Sequence, residues 1–289
     1  MPLFVTRCGL LMKIGLISDL HTDVTPVNKA IVPHLIEAVK AAQLDVFVLA
    51  GDLARHLVQL SETLNAFQLA DLACEKLFVP GNHDIWAIET PDVTSEQKCE
   101  IISKLCYECG FHPLMDEPFI KEQIGFCGTI GWYDYSFAPD GYDFSDAQYA
   151  EKTLMGAVWN DKRYAKWSGT DRVVARRFES ELKAQIAAVQ GDVSRIVVVT
   201  HHVPFQECIR YRGELPWDFF RAFMGSKHLG DICLAEECVT HVLFGHTHQA
   251  LDMQIRNLRA MCAPVGYLQE EPTVGLQDYA TQRLACFEI

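Results

Sequence analysis

The chain has 289 residues, of which 49% are hydrophobic and 22% charged, as is ordinary for a soluble globular protein. No apolar run reaches the roughly 20 residues that a membrane-spanning helix needs, and the N-terminal stretch lacks the cleavage pattern of a signal peptide. The net charge of −13 disfavours passive binding to nucleic acid or to anionic membranes. We therefore expect a cytoplasmic protein whose 11 cysteines are reduced.

The first half of the chain alternates between strand and helix patterns. Short apolar runs at Lys13–Ser18, Asp45–Ala50 and Lys76–Val79 predict strands. Apolar side chains at helical spacing predict helices over residues 28–42 and 57–73. This alternation predicts right-handed βαβ units and a parallel sheet.

The second half predicts further strands around one long amphipathic helix, at residues 171–190. The strand patterns lie at Ile124–Ile130, Arg195–Thr200, His241–Phe244, Leu251–Ile255 and Leu284–Ile289. Segments 131–170 and 205–230 have weak periodicity and many aromatic residues, so we expect cap-like insertions there. We predict one domain over residues 12–289. Residues 1–11 are expected to be an N-terminal extension, because Met12 directly precedes the first predicted strand.

Five polar clusters each follow a predicted strand. They are Asp19-x-His21, Gly51-Asp52, Gly81-Asn82-His83-Asp84, His201-His202 and Gly245-His246-Thr247-His248. Each cluster alone is compatible with an ordinary turn or cap, but residues after the carboxyl ends of several strands converge on one site in α/β sheets. Carboxylate, imidazole and amide ligands suit divalent Mn, Fe, Zn or Ni. A pair of such ions can clamp a phosphoryl group and activate water, so the clusters predict a dinuclear metal centre.

The order of these clusters resembles the calcineurin-like metallophosphoesterase family, whose pattern is D-x-H, G-D, G-N-H-[DE], a later His and G-H-x-H. The resemblance runs from Asp19 to His248. It implies an α/β fold, a four-layer α/β/β/α sandwich with two central mixed sheets. It also implies hydrolysis of a phosphomonoester or phosphodiester of a small molecule by a hydroxide that bridges two divalent cations.

The resemblance assigns roles to individual residues. One ion would be held by Asp19, His21, Asp52 and His248, and the other by Asp52, Asn82, His201 and His246, with Asp52 bridging. His201 is preferred to His202 as the ligand, because the family places its ligand at this position before a Pro-containing turn. His202 could line the pocket. His83 is expected to be catalytic and to assist the leaving group, and Asp84 to orient the loop.

One departure from related enzymes concerns Arg55. Protein serine/threonine phosphatases of the superfamily carry G-D-x-x-D-R-G, and Arg55 replaces the acid that would orient the catalytic histidine. This departure disfavours a protein phosphatase and leaves the orientation of His83 open.

Substrate contacts are predicted in the two cap-like segments, where Arg163 and Arg212 lie among aromatic residues. Together with His202, these arginines are candidates to bind a phosphorylated aromatic group. The alternative is that the aromatic rings pack the cap and the basic side chains are solvated. The expected partner is a small-molecule phosphate ester, with no nucleic acid and no membrane. The rival functions are a nuclease of the same superfamily and a non-catalytic scaffold on the same fold.

Overall fold

The structure, a computed structural model, describes residues 11–89 and 92–289. Its strands are β1 (Lys13–Ile17), β2 (Val46–Ala50), β3 (Glu75–Val79), β4 (His112–Pro113), β5 (Phe119–Lys121), β6 (Ile124–Thr129), β7 (Thr153–Leu154), β8 (Ala157–Val158), β9 (Arg195–Thr200), β10 (Val239–Phe244), β11 (Leu251–Ile255), β12 (Leu258–Cys262) and β13 (Ala285–Glu288). Its helices are α1 (Pro26–Ala30), α2 (Val32–Ala42), α3 (Leu57–Leu69), α4 (Ser95–Glu108), α5 (Asp146–Ala150), α6 (Asp161–Tyr164), α7 (Asp171–Val189), α8 (Lys227–Ala235) and α9 (Leu276–Arg283), with 3₁₀ helices at Gln206–Cys208 and Phe219–Phe223. Of the predicted extension over residues 1–11, residues 1–10 lie outside the described part.

Two mixed sheets form the centre of the fold. The first has the order β13-β1-β2-β3-β4, in which β1 to β4 are parallel and β13 is antiparallel to β1. The second has the order β11-β12-β10-β9-β6-β5, with four parallel strands at its centre and antiparallel strands β11 and β5 at its edges. The predicted βαβ alternation of the first half is therefore confirmed.

The two sheets pack face to face between layers of helices. Alternate strand residues point to opposite faces of a sheet. Val48 of β2 belongs to the same buried cluster as Val197 of β9, which places this core between the sheets. On the outer faces, Phe47 clusters with residues of α2 and α3, and Val198 with residues of α7 and α8. This order of layers confirms the predicted α/β/β/α sandwich.

The predicted helix over residues 28–42 is two helices in the structure. Thr25 caps α1, and its side-chain oxygen accepts a hydrogen bond from the backbone N–H of Asn28. The chain is interrupted at Ile31 because Pro33, in the first turn of α2, has no N–H to continue the hydrogen bonding. The helix thus restarts at a position where proline is tolerated.

Helix α4 had no counterpart among the predicted elements. Its buried residues are Ser95, Lys98, Ile102 and Cys106. Two of these four buried residues, Ser95 and Lys98, are polar, so the apolar periodicity of the helix is weak. The described cysteines are all free thiols, and neither Cys106 nor Cys109 belongs to a group of possible metal ligands within that part of the chain.

The cap-like segments consist of short elements packed through aromatic rings. Segment 131–170 contains α5, the β7–β8 hairpin and α6, and segment 205–230 contains both 3₁₀ helices. The ring of Tyr149 stacks on Phe219, and the edge of Tyr133 meets Phe223. Most of these aromatic residues therefore pack the cap. Within residues 11–89 and 92–289, no helix combines the length and the apolar character needed to cross a bilayer.

Candidate metal centre

The loops that follow β1, β2, β9 and β10 bring buried histidines and carboxylates to one place. The side chains form two groups of possible metal ligands, which are Asp19, His21, Asp52 and His248, and Asp52, His201 and His246. Within each group, the offered ligand atoms all lie within 4.8 Å of one another. The predicted convergence of separate strand ends is thus present in the fold.

Asp52 is shared by the two groups. Its Oδ2 lies 3.7 Å from Nε2 of His21, while its Oδ1 lies 3.4 Å from Nε2 of His201. One carboxylate oxygen therefore faces each group, which is the arrangement that a bridging ligand requires. The amide of Asn82 joins the second group, because its Oδ1 lies 3.2 Å from Nε2 of His201.

The imidazole nitrogens are oriented as those of metal ligands are. Nδ1 of His201 donates to the carbonyl oxygen of Ala50 at 2.9 Å, which leaves the lone pair of Nε2 directed into the centre. In the first group, Nε2 of His21 and Nε2 of His248 are 3.0 Å apart. Two lone pairs at that distance repel unless a proton or a cation lies between them. The donor set therefore fits a pair of divalent cations.

Several ligand residues have an unusual backbone conformation. The φ angles of Asp19, Asp52 and His246 are 55°, 58° and 69°, in the left-handed region that non-glycine residues seldom occupy. Such conformations cost about 1–3 kcal/mol each and cluster at functional sites. These conformations allow the backbone to turn sharply at the end of each strand. At Gly81 the packing is so close that a β-carbon would overlap the carboxylate of Asp52.

Two buried side chains hold the ligand loops together. The carboxylate of Asp84 accepts hydrogen bonds from the backbone N–H groups of Asp52, Ala54 and Gly81, at 2.7 to 2.9 Å. Burial raises the pKa of Asp84 to about 7, and the nearby charge of Asp52 adds to this effect. On the other side, Nζ of Lys98 donates to the carbonyl oxygens of residues 55 and 86.

The electrostatics of the centre favour positive charge. Burial raises the pKa of Asp52, but His201 and His83 outweigh this effect and hold the pKa well below its usual range. Burial lowers the pKa of His201, yet the neighbouring Asp52 raises it to about 9. The carboxylates thus draw a proton onto a buried imidazole. Metal binding displaces such protons, so bound cations would take over this charge compensation.

His83 lies beside the candidate ligands and, like Asp52, Asn82 and His248, lines one cavity of the structure. Its ring stacks on Trp86, with centroids 3.8 Å apart and an interplanar angle of 25°. Its backbone N–H donates to Oδ1 of Asp52, and its Nδ1 has no hydrogen-bond partner among the described residues. Arg55 instead contacts Asp23, to which its backbone N–H donates at 2.9 Å. Stacking on Trp86, rather than an acid at position 55, therefore orients His83.

Asp161 is a buried residue of the site that the sequence did not reveal. Its carboxylate accepts hydrogen bonds from Asn82 Nδ2, Trp86 Nε1, Trp159 Nε1 and Tyr133 OH, at 2.7 to 3.1 Å. It therefore fixes both the amide of a candidate ligand and the ring on which His83 stacks. Tyr267, which was also missed, places its ring 4.5 Å from that of His21 and 4.6 Å from that of His248.

None of the three predicted substrate-binding residues is among those that line the cavity. His202 is fully buried, and its Nδ1 donates to the carbonyl oxygen of Ile130 at 3.1 Å. Arg163 is exposed on α6, and Arg212 lies 3.3 Å from the ring centroid of Trp217. The cavity of about 560 Å³ that opens on the ligands is lined by Arg221 instead. No sequence signal distinguished this arginine from its neighbours.

Comparison with known proteins identifies the family. The sequence profile of calcineurin-like phosphoesterases matches residues 12–250, and the chain belongs to that family. Its members depend on two metal ions, and the two ligand groups around Asp52 form the corresponding candidate site. No curated protein matched the chain in sequence.

Solved structures share the fold. Phosphopantetheinyl hydrolase (PptH) from Mycobacterium tuberculosis is similar with a TM-score of 0.74 and 20% identity, covering 97% of this chain and 96% of that one. A dimetal phosphatase from Danio rerio gives a TM-score of 0.48 and 13% identity, covering 87% of this chain and 86% of that one. At 20% identity the similarity to the first structure concerns the fold and does not extend to the substrate.

Proposed function

We propose that the protein hydrolyses phosphate esters of a small molecule, either monoesters or diesters, at a pair of divalent cations. The observation that carries this proposal is the position of Asp52, which presents one carboxylate oxygen to each of two ligand groups. A single structural ion would not need two buried groups that share a carboxylate.

The assignment of ligands follows the two groups. One cation would be held by Asp19, His21, Asp52 and His248, and the other by Asp52, Asn82, His201 and His246. When bound, two divalent cations supply a nucleophile at neutral pH and offset the charge of the phosphoryl group. Mn, Fe, Zn and Ni all suit these donor atoms.

His83 is the candidate proton donor to the leaving group. It lines the cavity, and its ring is fixed by Trp86. A positioned imidazole can protonate the departing alkoxide oxygen. A cavity of about 560 Å³ falls within the range of small-molecule sites, and the net charge of −13 disfavours a nucleic-acid substrate.

The proposal can be tested with 4-nitrophenyl phosphate and bis(4-nitrophenyl) phosphate as generic monoester and diester substrates. Protein stripped with a chelator and reloaded with manganese should bind about two ions per chain and regain hydrolysis. Asp52→Ala should abolish turnover and reduce the bound metal, with its fold checked by circular dichroism. Asp143→Ala, which removes an exposed carboxylate, is the matched control.

Two results would contradict the proposal. Turnover that persists in chelator-treated Asp52→Ala would exclude the metal-dependent mechanism. A wild-type protein that holds little metal after manganese loading and hydrolyses neither ester would instead support a scaffold on the same fold. Cleavage of single- or double-stranded DNA with manganese would favour a nuclease.

A further inference from the structure

The cavity over the candidate metal centre is lined by one arginine side chain. Its lining includes Asn82, His83 and His248 on the side of the ligands and Arg221 in the cap segment. Among the described residues that line it, Arg221 is the only arginine or lysine. A cationic side chain in this place is notable because the chain as a whole carries a net charge of −13.

Arg221 is partly buried and has no carboxylate partner in the described part of the chain. The only hydrogen bond of its side chain there runs from Nε to the carbonyl oxygen of Trp217, at 3.4 Å. The nearest acid along the chain, Asp218, already accepts hydrogen bonds from the backbone N–H groups of Arg212 and Gly213 at 2.8 and 2.7 Å. The terminal nitrogens of Arg221 are therefore available to a ligand, and burial without a partner is costly for a charged group.

The guanidinium of Arg221 is held in place by the ring of Trp217. It lies 4.1 Å from the ring centroid of Trp217, and this ring is also stacked by Arg212 at 3.3 Å. The 3₁₀ helix Phe219–Phe223 that carries Arg221 also accepts, at the carbonyl of Phe223, a hydrogen bond of 3.3 Å from Nε2 of His246. The same short helix thus contacts a candidate metal ligand and presents the arginine.

Arg221 lies apart from the carboxylates that would bind the cations. Asp52 and Asp19 pair with His21, His201 and His248, and among the described residues no ion pair joins either carboxylate to Arg221. Burial lowers the pKa of Arg221 to about 10, which leaves it cationic at neutral pH. A phosphoryl group seated between the two ligand groups would occupy the ligand side of the cavity, whereas Arg221 lines the cavity from segment 205–230.

We propose that Arg221 binds a second anionic group, carried by the alcohol part of the ester, while the scissile phosphate occupies the metal centre. The inference rests on the proposed function and narrows its substrate class to small phosphate esters with a remote phosphate or carboxylate. The rings of Trp159 and Tyr267 line the cavity and would contact the connecting part of the molecule. A planar guanidinium suits either kind of anion, because both accept two parallel hydrogen bonds.

The preference for a second anionic group can be measured with phosphate esters that either carry or lack an anion at the far end of the alcohol. The probes are bisphosphates of α,ω-alkanediols with two to eight carbons, the monophosphates of the same diols, and ω-carboxyalkyl phosphates of matching length. Initial release of phosphate is followed with manganese-loaded protein. We expect kcat/KM to be at least about tenfold higher for a dianionic probe than for its monophosphate at one or more lengths. The carboxylate series separates the two possible remote groups.

Variants of Arg221 test the assignment. In Arg221→Ala the ratio of kcat/KM between dianionic and monophosphate probes should fall to about one, mainly through KM, and Arg221→Lys should retain part of it. Arg176→Ala, which removes an exposed arginine of α7 that does not line the cavity, should keep the wild-type ratio. If Arg221→Ala slows both kinds of probe by the same factor, the arginine contacts the scissile phosphate and the inference is wrong.

Measurements on the wild-type protein alone also test whether a remote anion is recognised. Equal kcat/KM for dianionic and monophosphate probes at every length would overturn the inference while leaving the proposed function intact. Hydrolysis of bis(4-nitrophenyl) phosphate without hydrolysis of any monoester probe would also overturn the inference alone. Failure to hydrolyse every probe, 4-nitrophenyl phosphate and bis(4-nitrophenyl) phosphate would overturn the proposed function itself.

Discussion

Oδ1 of Asp161 accepts a hydrogen bond from Nδ2 of Asn82 at 2.9 Å, so a carboxylate in the cap segment fixes which end of that amide faces the metal centre. With Nδ2 engaged, Oδ1 of Asn82 is directed towards His201. Only the oxygen of an amide can bind a cation, and outer hydrogen bonds of this kind orient metal ligands. Asp161 is accordingly a positioning residue, acting through Asn82.

The first prediction concerns Asp161→Asn. An amide at this position can donate as well as accept, which frees the side chain of Asn82 to rotate. We expect metal affinity to fall about 10–100-fold, with activity restored in part by excess manganese. Titration of bound metal and of activity against manganese concentration measures both effects.

The matched control for this prediction is Asp171→Asn. Asp171, the first residue of α7, likewise accepts a hydrogen bond from an indole, that of Trp132 at 2.9 Å, but it contacts no candidate ligand. Its replacement should lower stability without changing the manganese dependence. Equal manganese dependence in both variants would show that Asp161 has only a structural role.

The second prediction concerns His83→Ala and the leaving group. If His83 protonates the departing oxygen, its loss matters most when that oxygen is basic. We expect kcat to fall about 100-fold or more for an alkyl phosphate and less than about tenfold for 4-nitrophenyl phosphate. Rates across a series of leaving-group pKa values provide the measurement, and a uniform decrease across the series would argue against proton donation.

The third prediction concerns the fully buried amine of Lys98. Lys98→Met removes a donor from the carbonyl oxygens of Arg55 and Trp86 and leaves both buried without this partner. The free energy of unfolding should fall by about 2–4 kcal/mol, as followed by urea denaturation. Lys104→Met, on the exposed side of the same helix, should change it by less than about 0.5 kcal/mol. Similar values for the two variants would contradict the role assigned to Lys98.

The fourth prediction concerns pH and His241, which lies outside the metal centre. Burial, aided by the charge of Arg259, lowers the pKa of His241 to about 4, below the usual value of 6.5. Between these values the unfolded chain binds more protons than the folded one, so stability falls as the pH drops from about 6.5 to about 4. Above this pH window His241 is neutral in both the folded and the unfolded chain, so it adds no pH dependence to the free energy of unfolding.

His241→Gln removes that titration. The unfolding free energies of wild type and variant, measured with chelator present, should converge or cross as the pH is lowered through this window. Curves that stay parallel would show that His241 does not contribute to the pH dependence.

The strand ends were predictable because their signals are local. An apolar run followed by polar residues identifies Ala50 and Asp52 without knowledge of the rest of the fold. Parallel strands then place their carboxyl ends on one edge, so ligands distant in sequence could be expected to meet.

The supporting residues were not predictable, because their partners are distant in sequence. Asp161 meets Asn82 across 79 positions, and nothing around it distinguishes it from other acidic residues of the cap. Arg163, Arg212 and Arg221 look equivalent in the sequence, and only the path of the cap segments decides which of them faces the cavity. Helix α4 was missed because two of its four buried residues, Ser95 and Lys98, are polar, which weakens the apolar periodicity.

The left-handed backbone of Asp19 and Asp52 positions the candidate ligands and at the same time lowers the stability of the folded chain. In a protein free of cations, these residues combine an unfavourable conformation with crowded, buried, charged side chains. Replacement by glycine would relieve the backbone and remove the charge together, so variants that lose activity can gain resistance to heat. Bound ions reverse that balance, because their affinity for the folded chain adds directly to its stability.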